Sequence, residues 1–141
     1  EQILVVSQPW VACLPVSHPL AGEAGVALEQ LRGENLVVVS RTVSPDYHER
    51  ILMLCEQAGW MPQAVHELRH GLSAVSLVSQ GLGVALVPQA LQQSALAGAV
   101  FIPLQAVDVR YDTRCLWRSD RDQTALKDFV LAVQADAAGV S

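Results

Sequence analysis

The sequence predicts an α/β domain built on a mixed, largely parallel sheet with helices on both faces. Three observations lead there. Short runs rich in Val, Ile and Leu alternate with amphipathic stretches that carry helix start and stop residues, the order expected of βαβ units. Several of the strand runs are apolar throughout rather than alternating, as strands buried on both faces require. Hydrophobic residues make up 51% of the chain, yet Gly, Pro, Ser or Gln interrupts the longest apolar runs short of the ~20 residues of a membrane span, so the surplus reads as buried strands of an α/β fold or as core exposed by truncation.

The elements follow in order. "ILVV" (3–6) and "WVACLPV" (10–16) are runs of strand type, and "SHPLAGEAGV" is a Gly- and Pro-containing loop. "LEQLRG" gives one helical turn closed by Gly33, and "NLVVVS" is a buried strand. The helix 45–58 has the clearest signals: Ser44 is a good N-cap, Pro45 suits the first position, Asp46 complements the dipole and Gly59 stops it. A strand over 64–70 follows, then a small-residue helix "LSAVSLVSQ" ended by Gly81 and a strand "GVALV" stopped by Pro88. A short helix "PQALQQ", the strand "AVFIPL" and a long strand near "TRCLWRS" lead to a final helix on which Leu126, Phe129, Val130 and Val133 share a face.

Residues 66–70 read "HELRH", a letter-for-letter match to the zinc-protease signature. That chemistry needs a helix, where histidines four apart are separated by a rise of ~6 Å; on a strand they start ~13 Å apart, too far to share one ion. Val65, Glu67 and Arg69 alternate against His66, Leu68 and His70 between the turn "GWMP" and Gly71, which favours a strand. A third ligand is also lacking, since the sequence between Gly71 and Val107 contains no Asp, Glu, His or Cys. No metal site is expected.

Net charge is −5, and the nine Lys and Arg residues are scattered, so the chain lacks the basic stripe that grips nucleic acid. Cys13, Cys55 and Cys115 are far apart, odd in number and without a C-x-x-C pair; they read as reduced, mostly buried thiols. Trp10, Trp60 and Trp117 read as packing residues, and His18 and His48 as structural or exposed. The sequence contains no nucleophile elbow or phosphate-cradling loop, and the Gly81 and Gly83 pair follows a helix and precedes a strand, the reverse of a dinucleotide fingerprint. No enzyme activity and no cofactor are expected. The chain starts at Glu1 without Met or a signal-like segment and reads as a piece of a longer protein.

In open sheets of this kind, ligands sit where strands end and helices begin, and two such junctions stand out: "SRTVSPDY" (40–47) and "RHGLS" (69–73). Three stretches carry a family resemblance: "LPVSHPLA", "LRGENLVVVS" running into a capped helix that ends "CEQAGWMP", and above all "LVSQGLGVALVP" at 77–88. With the closing "LWRSDRD…LKDFV" they cover nearly the whole chain in the right order, and it resembles the effector-binding domain of LysR-type transcriptional regulators.

The resemblance implies a type II periplasmic-binding-protein-like fold: two three-layer αβα lobes joined by crossing strands, with an effector between them. This chain would supply mainly the second lobe (12–105), a strand and crossover from the first (1–11), and a crossover strand and C-terminal helix returning to the first (106–141). The rest of the first lobe, and the winged helix-turn-helix that contacts DNA, would lie outside this sequence. The final helix would then swap, oligomerise or rearrange, because its apolar stripe lacks its usual partner.

The resemblance also implies site residues. Arg41, Thr42, Ser44, Pro45 and Tyr47 would face the cleft, the last two matching positions that contact aromatic-pathway acids in other members; His70, Gly71 and Ser73 would join them. Physically, Ser44 and the free amides of the helix start can hold a carboxylate, Arg41 can neutralise it, and Tyr47 can pack on an apolar body. Arg41 is equally read as a solvated arginine and Ser44 as a plain cap. Helix 45–58 would expose Glu49, Arg50 and Glu56 around Ile51, Leu54 and Cys55 to a head-to-tail partner, a pattern that core packing explains as well. The expected function is that of a cytoplasmic regulatory sensor in a homodimer or homotetramer, responding to a small organic acid and reaching DNA only through the N-terminal domain. A fragment of a solute-binding transport protein of the same fold is the alternative.

Overall fold

The computed structural model of the chain describes residues 2–94, 96–105, 111–116, 128–129 and 131–132. The strands are β1 (Gln2–Gln8), β2 (Trp10–Pro15), β3 (Leu36–Val39), β4 (Val65–Leu68), β5 (Ala85–Pro88), β6 (Ala99–Pro103) and β7 (Tyr111–Leu116). The helices are α1 (Pro45–Gln57) and α2 (Gly71–Ser79), with 3-10 turns at Leu28–Leu31 and Gln89–Ser94. The chain divides into two compact units, Glu1–Gln8 with Arg110–Ser141, and Pro9–Val109.

In the first unit β1 and β7 pair antiparallel, Gln2 opposite Leu116 and Gln8 opposite Tyr111, with an irregularity between Leu4 and Val6. Asp128, Phe129, Leu131 and Ala132 are helical, but Leu126, Val130 and Val133 of the expected apolar stripe, and the fate of the C-terminal segment, lie outside the described residues.

The second unit is a mixed sheet between two helical layers. β3 and β4 run parallel with Val39 opposite Leu68, while β2 lies antiparallel between β5 and β6. A parallel bridge from Leu36 to Val84 joins the two ladders through Val37 N–H to Val84 O and Val84 N–H to Asn35 O, giving the order β4-β3-β5-β2-β6. β3, β4, β5 and β6 therefore point one way and β2 the other. The pairing is less parallel than the strand and helix alternation suggests, because β2 enters the sheet in its middle and turns both of its ladders antiparallel.

Residue alternation sorts the core onto two faces. Val11, Cys13, Val37, Ala85, Val87 and Ala99 pack with Ala74, Val75 and Val78 of α2. Ala12, Leu14, Leu36, Val38 and Leu86 point the other way and are also buried; α1 covers that side, with its Tyr47 hydroxyl donating to the Leu86 carbonyl. Ile51, Leu54 and Cys55 of α1 are buried, so they serve the core and are not available as a docking face, correcting the head-to-tail expectation for those three residues. Trp60 fixes the end of this layer by donating its indole N–H to Leu28 O at 2.9 Å.

Both helices close as the glycines dictate. Gly59 (φ 86) and Gly81 (φ 84) adopt the left-handed conformation, and Trp60 N–H to Cys55 O and Leu82 N–H to Leu77 O complete the reversal. The start of α1 differs from expectation. Ser44 holds the N-cap position with Pro45 first in the helix, yet its hydroxyl makes no capping bond. Instead the amides of Val43 and Ser44 both bond to Ser40 O, which turns the loop into the helix through backbone alone.

Candidate functional site

Because β3, β4 and β5 are mutually parallel, their carboxyl ends share one edge of the sheet. α1 leaves after β3, α2 after β4, and the 3-10 turn Gln89–Ser94 after β5. The "HELRH" stretch lies here as extended backbone: His66 is on β4, and His70 (φ −136, ψ 136) is the N-cap of α2. Among the described residues, no group of three or more His, Cys, Asp or Glu side chains could hold a metal ion.

The two junctions are tied directly, since Ser40 N–H donates to Leu68 O at 2.7 Å across the ends of β3 and β4. Within the first junction, the Ser40 and Thr42 hydroxyls are 2.9 Å apart and Thr42 N–H reaches Ser40 Oγ, so Thr42 belongs to an internal loop network. Pro45 is exposed at the first helical position. Arg41 pairs with Glu49 (Nη2 to Oε1 2.8 Å), both side chains more than half exposed. Tyr47 is half-buried: its hydroxyl is bound to Leu86 O at 2.9 Å, and its ring meets Trp10 at a centroid distance of 5.3 Å and an angle of 60°.

In the second junction neither His70 nor any other side chain caps α2; Ser73 N–H turns back to His70 O. His70 and Ser73 are exposed, and Gly71 is half-buried with the Leu91 side chain beside it. The eight residues expected at the site thus fall at two hydrogen-bonded neighbouring junctions. In the sequence, Ser40 falls in the first junction without a role and Glu49 on the outer face of its helix; the structure shows Ser40 organising the first loop, Glu49 holding Arg41, and Leu91, which the sequence does not single out, bringing in the third junction. The Ser-x-Thr spacing was a signal for Ser40; nothing local marks the other two.

Cys13 and Cys55 lie in the core away from the two junctions. Cys13 and Cys55 are free and buried, and burial pushes them up to about 12 and about 11. Both are therefore poor nucleophiles near neutral pH.

The αβα layer thus gathers the starts of two helices along one edge, with Arg41 and the half-buried Tyr47 and Gly71 beside them. The comparisons are more specific. The model of the LysR substrate binding domain matches residues 1–138, and the chain belongs to that family. Among curated relatives, the HTH-type transcriptional regulator AlsR of Bacillus subtilis is 27% identical over 88% of this chain and 41% of its own length. The Hca operon transcriptional activator HcaR of Escherichia coli is 30% identical over 100% of this chain and 48% of its own. Among solved structures, the BenM effector binding domain with its effector benzoate superimposes with a TM-score of 0.81 at 20% identity, covering 98% of this chain and 63% of that one.

The chain therefore spans less than half the length of these two curated relatives. The fold is of the periplasmic-binding-protein-like αβα class. The curated relatives are transcriptional regulators, which favours regulation over both catalysis and solute transport as the function class. No helix among the described residues is long and apolar enough to cross a membrane.

Proposed function

We propose that this chain is the effector-sensing part of a cytoplasmic LysR-type regulator and that it holds a small, carboxylate-bearing organic molecule at the paired junctions 40–47 and 69–73. The observation that carries the reading is the Ser40 N–H to Leu68 O bond, which ties together the ends of the two strands that lead into α1 and α2, helices whose N-cap side chains make no capping bond. Backbone amides at such ends attract anions, so an uncapped helix start favours a carboxylate over a neutral group.

In this reading Arg41 contributes the counter-charge, and an incoming carboxylate competes with Glu49 for it. Ser44, Thr42, Ser73 and His70 offer polar contacts, Gly71 lets the ligand approach backbone, the Pro45 ring offers an apolar contact, and the Tyr47 ring forms a wall whose hydroxyl is already committed to Leu86. That BenM takes benzoate supports the chemistry proposed, a carboxylate on an apolar body.

Residues 12–105 are assigned to the second lobe, 1–11 to a strand and crossover from the first, and 106–141 to a return crossover and helix. Effector binding would shift the population of a homodimer or homotetramer that contacts DNA through an N-terminal winged helix-turn-helix outside this sequence. The test is thermal-shift screening of the complete two-lobed domain against carboxylate-bearing metabolites and their amides. Stabilisation by a carboxylate and not by its amide is expected, and indifference to every carboxylate rejects the proposal.

A further inference from the structure

We propose that His48 is the positioning residue that holds the two junctions in register; the inference rests on the site reading above. Among the described residues, His48 is the single buried polar or charged side chain, 4% exposed, in a core that is otherwise apolar. A polar ring in such a place is retained by its partners. Its Nδ1 lies 3.0 Å from Val39 O, and because a carbonyl only accepts, Nδ1 carries the proton and donates. Its Nε2 faces Glu67 Oε1 at 3.6 Å.

These contacts reach the elements that build the site. Val39 is the last residue of β3, Glu67 lies on β4 one residue before its end, and His48 is in the first turn of α1 with its own amide bonded to Ser44 O. Strand alternation places Glu67 on the face opposite Leu68, which packs in the α2 core, so the ring works from beneath α1 while α2 covers the other side. One imidazole thus fastens the start of α1 to the last residue of β3 and sets its other edge beside Glu67 of β4, the strand that carries the second junction. The sheet ladder joins β3 to β4 as far as Val39 opposite Leu68 and the Ser40 N–H to Leu68 O bond, and the ring adds to it a contact from α1 at the last carbonyl of β3.

Hydrogen exchange on the intact protein tests this without any ligand, so its failure is distinguishable from failure of the effector reading. In His48→Leu, the amides of Ser40, Val43 and Ser44 exchange faster by about tenfold or more, while the β2 amides change only with global stability. His48→Asn places an amide nitrogen near the position of Nδ1 and restores protection to within about threefold of wild type, whereas His48→Gln, which places it near Nε2, does not. If His48→Leu does not fold, the Asn and Gln pair decides. A uniform rise across residues 9–105, unchanged exchange at the three loop amides, or equal behaviour of Asn and Gln overturns the proposal.

Discussion

Replacing Gly83 by Ala probes the seam on which the site's geometry rests. A Cβ at Gly83 would lie 2.6 Å from Asn35 O and 3.1 Å from its carbonyl carbon, both backbone atoms and neither able to swing away. Ordinary van der Waals contact begins near 3.4 Å, so the backbones must part by about 3.4 − 2.6 = 0.8 Å. That separation falls on the β3 to β5 seam and threatens the 2.9 Å bond from Val84 N–H to Asn35 O. Overpacking costs ~1–3 kcal/mol and the weakened hydrogen bond ~1, offset by ~0.5 from the stiffer unfolded chain. A net loss of about 1.5–3.5 kcal/mol follows. Gly22, whose added Cβ meets nothing within 4 Å, is the control, and Gly22→Ala stays within ~0.5 kcal/mol of wild type. Urea unfolding followed by tryptophan fluorescence gives both values. A Gly83→Ala loss under ~0.5 kcal/mol, or one equal to that of Gly22→Ala, would refute the reasoning.

Further perturbations bear on other parts of the account. Tyr47→Phe removes the bond to Leu86 O while keeping the ring on Trp10, and should cost ~1 kcal/mol in the same unfolding assay. Glu49→Gln breaks an exposed pair and should change stability by less than ~0.5 kcal/mol, yet free Arg41 to react faster with phenylglyoxal. Cys13 and Cys55 should resist iodoacetamide at pH 8 in the folded protein and react on denaturation. Their folded values lie above the ordinary thiol value of 9.0, so the stability they contribute is complete below pH 9 and is lost as pH rises toward 11 and 12. Unfolding curves at successive pH values across that window check the direction.

Most of the local structure was legible because its causes are local. Pro45 and Gly59 bracket α1, Gly81 ends α2, and the apolar "NLVVVS" and "GVALV" runs hold β3 and β5. The extended course of "HELRH" was readable from side-chain alternation, although β4 stops at Leu68 instead of His70 because the chain is already turning into α2. Long-range pairing was not legible. No pattern in 10–15 reveals that β2 lies antiparallel in mid-sheet, and none in α1 reveals that His48 points into the core while Glu49, one residue on, bridges to Arg41. The cap at Ser44 failed for a related reason: its position is correct, but Ser40 O takes the neighbouring amides by backbone alone. The apolar face of α1 was visible, and what it packs against was not; burial of Ile51, Leu54 and Cys55 assigns it to the sheet.

The most direct test of the carboxylate site is amide chemical-shift mapping by NMR on the intact protein, titrated with benzoate and related carboxylates and with their amides as controls. The account predicts saturable shifts from at least one carboxylate, concentrated at residues 40–47 and 69–73 and weakened in Arg41→Gln. Shifts centred elsewhere in the chain, equal responses to acid and amide, or no binding by any carboxylate would contradict it.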